Sequence, residues 1–189
     1  SSLFSGLTGT LESLQITRRG LTIESLSLGA KGPIRIGNFI ELNEVFLRVS
    51  NFKVDRLAVA PEPKVSGVIE LSVGGIALFP DGGAITTTAE NILARYDFSG
   101  GLTSLGKLTF SVGSLTLDVK GAVQFTATDV LIDPNAETLA TIGAAKLVVL
   151  PLNNATVDLS GITIRRNGFS IANGSFTLTS VNLGGFLAV

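Results

Sequence analysis

The feature that most constrains this chain is the alternation of apolar and polar residues with period two. Between Lys107 and Val112, for example, Leu108, Phe110 and Val112 fall on one side of an extended chain. Successive side chains of a β-strand point to opposite faces, so this pattern is typical of strands with one buried face. We therefore predict an all-β fold with little or no helix.

The alternation changes phase inside several apolar runs. Three such changes carry the apolar positions from Val112 to Leu115, from Ala127 to Val130 and from Val49 to Phe52. An extra residue of this kind is expected where a strand bends or carries a β-bulge.

One stretch has a different character. Residues 135–145 (NAETLATIGAA) follow an Asp-Pro turn and are rich in alanine. This composition makes them the single candidate for a helical turn.

An internal repeat organises the chain. The segments LQITRRGLTI, ILARYDFS and ITIRRNGFSI place Arg18, Arg95 and Arg165 in register at spacings of about 77 and 70 residues. Three further pairs occur in the same order: IGNFIEL with VGSLTL, LRVSNFKV with FTATDVLI, and ALFP with VVLP. We predict a first unit at 1–90, a second at 91–161 and the start of a third at 162–189, in an array that continues.

Repeat units bury their apolar faces against their neighbours, which favours an elongated shape. The predicted architecture is therefore an elongated repeat, either a β-solenoid-like stack or two successive β-sandwich units.

Composition excludes many chemistries. The chain has no Cys and no His, which removes thiolate nucleophiles, Ser-His-Asp triads and Cys or His metal sites. Its net charge of −1 comes without a basic face interleaved with aromatic residues, so no nucleic-acid partner is expected. No spacing selects a catalytic pair among the acidic residues, and we predict a non-enzymatic protein without a cofactor.

The chain is apolar for a protein without an expected membrane span. Its mean hydropathy is +0.49 and only 15% of its residues are charged. The uncharged final stretch, 167–189, is too rich in Asn, Ser, Thr and Gly for a transmembrane segment. The excess apolar surface must therefore lie in a dry core, in a subunit interface or in a lipid-lined cavity.

Two resemblances bear on this choice. The sequences NGFSI at 167–171 and VNLGG at 181–185, after the Thr-rich FTATDV, resemble tandem β-repeats of very large surface or secreted proteins of environmental bacteria. That resemblance implies an extended β-structure with an adhesive or scaffolding role. A fainter likeness, to the AsmA and TamB class of amphipathic β-troughs, implies lipid transfer.

Five arginines are candidates for binding an anion. Bidentate guanidinium contacts would suit sulfate, phosphate or an acidic sugar. The alternative is that these charges keep turns and sheet edges soluble. The residues are Arg18, Arg19, Arg95, Arg165 and Arg166.

A second candidate site is a calcium site around the Asp-Pro turn. Oxygen ligands gathered in a loop are what Ca²⁺ prefers, although an ordinary Asp-initiated turn explains the same residues. The candidate ligands are Asp129, Asp133, Asn135 and Glu137.

The function that we expect from the sequence is structural. The sequence predicts an adhesive, self-assembling module of an extracellular or cell-surface filament, whose copies are joined by strand pairing and apolar contacts. The alternative is an apolar-lined β-groove that binds or transfers lipid, in which case a periplasmic location would also fit. A third reading is a glycan- or receptor-binding fibre domain. An open apolar trough would favour lipid, and a closed core would exclude it.

Overall fold

The computed structural model describes residues 6–59, 64–98 and 108–178; the VNLGG segment used above lies outside them. The all-β prediction is confirmed. The strands are β1 (Leu7–Ile16), β2 (Gly20–Ala30), β3 (Ile34–Ile36), β4 (Ile40–Asp55), β5 (Val65–Leu78), β6 (Ile85–Asp97), β7 (Leu108–Val119), β8 (Val123–Ile132), β9 (Thr138–Val149), β10 (Ala155–Arg165) and β11 (Gly168–Thr177). One turn of 3-10 helix, Leu150–Leu152, leads from β9 to β10.

The strands form a single antiparallel sheet that is not closed. Its order is β1-β2-β4-β5-β6-β7-β8-β9-β10-β11, and the short β3 pairs with β4. Each long strand therefore pairs with the long strands before and after it in the chain. A solenoid stack or a pair of sandwiches would need a second layer, whereas the described strands form one layer.

The candidate helical stretch is a strand. Residues 138–145 belong to β9, which pairs with β8 on one side and β10 on the other. Both neighbours supply backbone partners, and this pairing outweighs the high intrinsic helix propensity of the alanines.

The predicted repeat boundaries fall inside strands. The boundary at 90/91 lies in β6 and the one at 161/162 lies in β10. The hairpins β1-β2 and β10-β11, which carry the similar TRRG and RRNG sequences, lie at opposite sides of the sheet. The division into units stays a prediction.

Little of the chain is buried. It exposes 12260 Å² of surface, whereas a compact protein of this mass would expose about 8,600 Å². The buried apolar residues are small or β-branched: Ala30, Val49, Ala58, Val65, Val73, Ile92, Ala127, Ala145 and Ala155. The described residues thus contain no thick, closed core.

Candidate functional site: an apolar trough

The two faces of the sheet differ sharply. Residues that are directly paired across antiparallel strands share a face. One face carries apolar sets such as Leu47, Leu71 and Ala94, or Leu117 and Phe125. Among the paired residues of the described strands, this face has no charged side chain from β1 to β11. The other face carries Ser, Thr, Asn and the charged residues, including the Glu70–Arg95 ion pair.

A line of backbone kinks crosses the sheet. Four alternate strands, β4, β6, β8 and β10, each contribute to this line one residue with left-handed backbone conformation: Glu44 (φ 53°), Asn91 (φ 54°), Asp129 (φ 54°) and Gly161 (φ 62°). The register places Gly74, Gly113, Gly143 and Ala172 opposite them on the intervening strands. We call this line, from Glu44 to Ala172, the crease.

The glycines of the crease are required sterically. A Cβ added to Gly113 would lie 2.9 Å from the Cβ of Asn91, and one added to Gly143 would lie 2.9 Å from the Cβ of Asp129. At the last pair the roles are reversed, because a Cβ on Gly161 would lie 2.7 Å from that of Ala172. Each pair therefore has room for one Cβ only.

The crease explains the phase changes in the sequence. A left-handed residue interrupts the alternation, so that Ala127 before Asp129 and Val130 after it both lie on the apolar face. The slip from Val49 to Phe52 belongs to a second line, near β1, which includes Ser13 (φ 49°) and Asn51 (φ 49°). Two of the three phase changes thus coincide with left-handed residues, Asn51 and Asp129, and the third, at Gly113, lies opposite Asp129 in the register.

Residues of the apolar face beside the crease are buried, with Val73, Ile92 and Ala145 each 8% exposed and Ala127 2% exposed. On the crease itself, Asn91 and Asp129 are exposed. No second layer of described residues covers the apolar face. We call this open apolar face, with the crease that crosses it, the apolar trough.

The trough runs across the strands. Along the crease, the seven strand spacings from β4 to β11, at about 4.8 Å each, give a length of roughly 34 Å, and ten-residue strands give a width of roughly 33 Å. The two ends of the trough, at β1 and β11, are open. Large apolar side chains there remain exposed: Leu7, Leu11, Leu14, Ile16, Phe169, Ile171 and Phe176.

Asp55 anchors one end of the sheet. Its buried carboxylate accepts hydrogen bonds from Nε of Arg19 at 3.0 and 2.8 Å and from the N–H of Leu57 at 3.0 Å. Nζ of Lys53 lies 3.4 Å from Oδ2. Burial raises the pKa of Asp55, but the Leu57 N–H and the cationic neighbours outweigh it and hold the pKa below its ordinary value. Nothing in the sequence singled out this residue.

The five candidate arginines do not converge. Arg18 is exposed in the β1-β2 turn, and Arg19 is bound to Asp55 of the same chain. Arg95 lies within β6, with Nη1 3.0 Å from Oε1 of Glu70. Arg165 donates to Oγ of Ser170 at 3.4 Å, and Arg166 donates to the carbonyl oxygen of Pro134 at 3.2 Å. These positions are dispersed over the sheet, and anion binding by any of them stays a prediction.

The candidate calcium ligands belong to different structural features. Oδ1 of Asp133 accepts the N–H of Asn135 at 3.0 Å and that of Ala136 at 3.2 Å, which is the hydrogen bonding of an Asp-initiated turn. Asp129 belongs to the crease, and Glu137 is exposed at the start of β9. Within the described ranges, no group of three or more acidic, His or Cys residues is placed to hold a metal ion.

Across 6–59, 64–98 and 108–178, no helix has the length and apolar character needed to cross a membrane. Comparisons with protein-family models, with curated proteins and with solved structures find no match for this chain.

Proposed function

We propose that the protein binds amphiphilic lipids, whose acyl chains lie in the apolar trough. The observation that carries the proposal is an uncharged apolar face that extends across ten paired strands and that no described residue covers. Monomeric soluble proteins rarely expose contiguous apolar patches larger than a few hundred Å², and larger patches mark binding sites. The sequence favoured a structural role over lipid binding; the open trough reverses that order.

The chemistry of the trough suits a hydrocarbon chain. Its backbone groups are engaged in strand pairing, and its side chains offer few hydrogen-bonding groups beyond Thr87 and Tyr96. An occupant must therefore bury apolar surface without requiring directional partners. Hydrocarbon meets that condition, because its transfer from water is favourable and non-directional.

The dimensions also suit acyl chains. One leaflet of a bilayer provides about 15 Å of hydrocarbon, half of the usual thickness of the hydrocarbon core. The trough exceeds this length in both directions, so whole chains fit along it. Each buried methylene contributes about 0.8 kcal/mol, and affinity should rise by up to about fourfold for each added methylene.

The experiment is a titration of the purified, delipidated protein with a fluorescent fatty acid, combined with native mass spectrometry of the undelipidated protein. Leu117→Lys places a charge on the apolar face opposite Phe125, and Thr116→Lys places the same charge on the polar face one residue away. We expect bound lipid masses on the wild-type chain and saturable binding of the probe. Leu117→Lys should weaken binding, and Thr116→Lys should leave it unchanged.

Two results would contradict lipid binding. One is the absence of both bound lipid and probe binding in a folded wild-type chain. The other is probe binding that is equally sensitive to both lysine substitutions, since binding would then not depend on the apolar face.

A structural module of a surface or extracellular fibre is the second candidate. It is supported by the outer edges of β1 and β11, whose residues are exposed throughout and which pair with no other described strand. Such edges are templates for pairing with another chain. Adhesion, glycan or receptor binding and an extracellular location stay predictions.

A further inference from the structure

We propose that copies of this chain join end to end through antiparallel pairing of β11 of one copy with β1 of the next. This assembly goes beyond lipid binding, and it would extend the sheet and its apolar face from copy to copy. The partner is thus a second copy of the same chain.

The direction of the strands allows this pairing. Strands alternate in direction along the sheet, and β1 and β11 stand first and tenth in its order. A copy translated along the sheet therefore presents β1 antiparallel to β11. Both strands have ten residues, so they match in length.

The crease fixes the register. Along the crease, left-handed residues lie on alternate strands, β4, β6, β8 and β10. If this spacing continues, the next left-handed residue after Gly161 belongs to the strand that pairs with the outer edge of β11. Ser13 of an incoming β1, which belongs to the second line of its own chain, has φ 49° and supplies this left-handed residue when it lies opposite Ala172. In this register nine residues of β1 lie opposite nine residues of β11, and each strand has one end residue left over.

The same register matches the two faces. Leu14 would lie opposite Ile171 and Ile16 opposite Phe169, so both apolar faces become continuous. Those four side chains are 46%, 41%, 76% and 74% exposed in the single chain, respectively. Large residues also meet small ones, with Leu11 opposite Gly174 and Phe176 opposite Gly9.

In the part of the chain that the structure describes, β1 and β11 carry neither lysine nor proline along their outer edges. Natural sheet edges are blunted by lysine, proline or inward-pointing charges. The strand β11 contains no charge and no proline, and β1 contains a single charge, Glu12, which would face Asn173 in this register. The proposed interface joins two different surfaces of the molecule. Such a head-to-tail interface produces an open chain of copies unless the rotation between copies closes a ring.

The test uses cysteine pairs in a chain that has no native cysteine. Gln15→Cys with Ser170→Cys places the two thiols directly opposite each other in the proposed register. The control combines Gln15→Cys with Ser175→Cys, which lies about 17 Å further along the strand. The two positions of each pair sit on opposite edges of one chain, so a disulfide can form only between copies.

We expect the matched pair to give a ladder of multiples of 19.6 kDa under mild oxidation, and the control pair to give about tenfold less. Equal ladders from both pairs would overturn the register. Efficient dimers from Ser170→Cys alone or Gln15→Cys alone would overturn the head-to-tail arrangement, because they require pairing of like edges.

A second measurement does not depend on cysteine. Sedimentation velocity of the wild-type chain should show mass increasing with concentration. Ile171→Lys should weaken the association by about tenfold or more, since it places a charge in an apolar contact. Asn167→Lys, in the adjacent turn, should not weaken it. A wild-type chain that stays monomeric across the concentration range would overturn the proposal.

Discussion

Asn91 and Gly113 lie directly opposite each other on β6 and β7, and together they have space for a single Cβ atom. Asn91 adopts φ 54°, and a Cβ on Gly113 would lie 2.9 Å from its Cβ and 3.2 Å from its amide nitrogen. This relationship recurs along the crease, with the positions of glycine and side chain exchanged at its end. The crease therefore depends on pairs of residues rather than on single glycines.

The first prediction concerns this pair. Gly113→Ala should lower the free energy of unfolding by about 1–3 kcal/mol, because the new methyl group overlaps Asn91. Asn91→Gly should be nearly neutral, since glycine tolerates positive φ. The double variant should recover part of the loss, with a coupling of about 0.5 kcal/mol or more. Urea unfolding of the four proteins checks this; strictly additive effects would refute it.

A second prediction compares adjacent glycines in β5. A Cβ on Gly74 would lie 2.8 Å from Oε2 and 2.9 Å from Cβ of Glu44, whereas one on Gly75 would have no neighbour nearer than 3.9 Å. Gly74→Ala should therefore destabilise the sheet by about 1 kcal/mol or more. Gly75→Ala should be neutral or stabilising by about 0.4–1 kcal/mol, because it restricts the unfolded chain. Thermal unfolding of both variants decides the matter, and equal losses would contradict it.

The third prediction concerns packing inside the trough. Ala145 is 8% exposed and lies opposite Ala127 on the apolar face, whereas its neighbour Ala144 is exposed on the polar face. Ala145→Leu should destabilise by about 1–3 kcal/mol through overpacking. Ala144→Leu should stay within about 0.5 kcal/mol of the wild type. Denaturant midpoints provide the measurement, and a neutral effect of Ala145→Leu would show that the apolar face has room for a larger side chain at this position.

The fourth prediction concerns pH. The pKa of Asp55 is lowered in the folded chain, so its stabilising contribution is fully present above the ordinary value of 3.8 and is lost as pH falls towards the folded value. The melting temperature should therefore fall as pH drops from about 5 to below 3.8, the ordinary pKa of the group.

Two variants test that assignment. Asp55→Asn should lower stability at neutral pH and flatten the acid part of the profile. Asp81→Asn removes a carboxylate that is 63% exposed and should change the profile little. An Asp55→Asn profile parallel to that of the wild type would show that other carboxylates govern the acid loss.

Much of the fold was predictable because it is encoded locally. Alternation such as that of Leu108, Phe110 and Val112 specifies a strand with one apolar face wherever it occurs. The phase slips at Gly113 and Asp129 were also visible, since an extra residue disturbs a period of two. The stretch 135–145, the single candidate for a helical turn, is a strand from Thr138 onward, because local alanine content says nothing about the strands that pair on both sides.

The candidate sites were less predictable for the same reason. Arg19 and Arg166 are the second arginines of two similar pairs. One nevertheless binds Asp55 and the other binds the carbonyl oxygen of Pro134, because the partners depend on which strands and turns meet. The sequence showed that Asp133 begins a turn but not that its carboxylate is occupied by the N–H groups of that turn.

What the sequence determined by itself is that the chain forms strands, that each strand has an apolar and a polar side, and that the alternation slips once or twice in a strand. Only the tertiary structure decided that all strands join one open layer and that the slips of neighbouring strands align into a crease. Strand character follows from the order of residues along the chain. The trough depends instead on the register between strands, because register brings together residues that are not neighbours in sequence, such as Asn91 and Gly113.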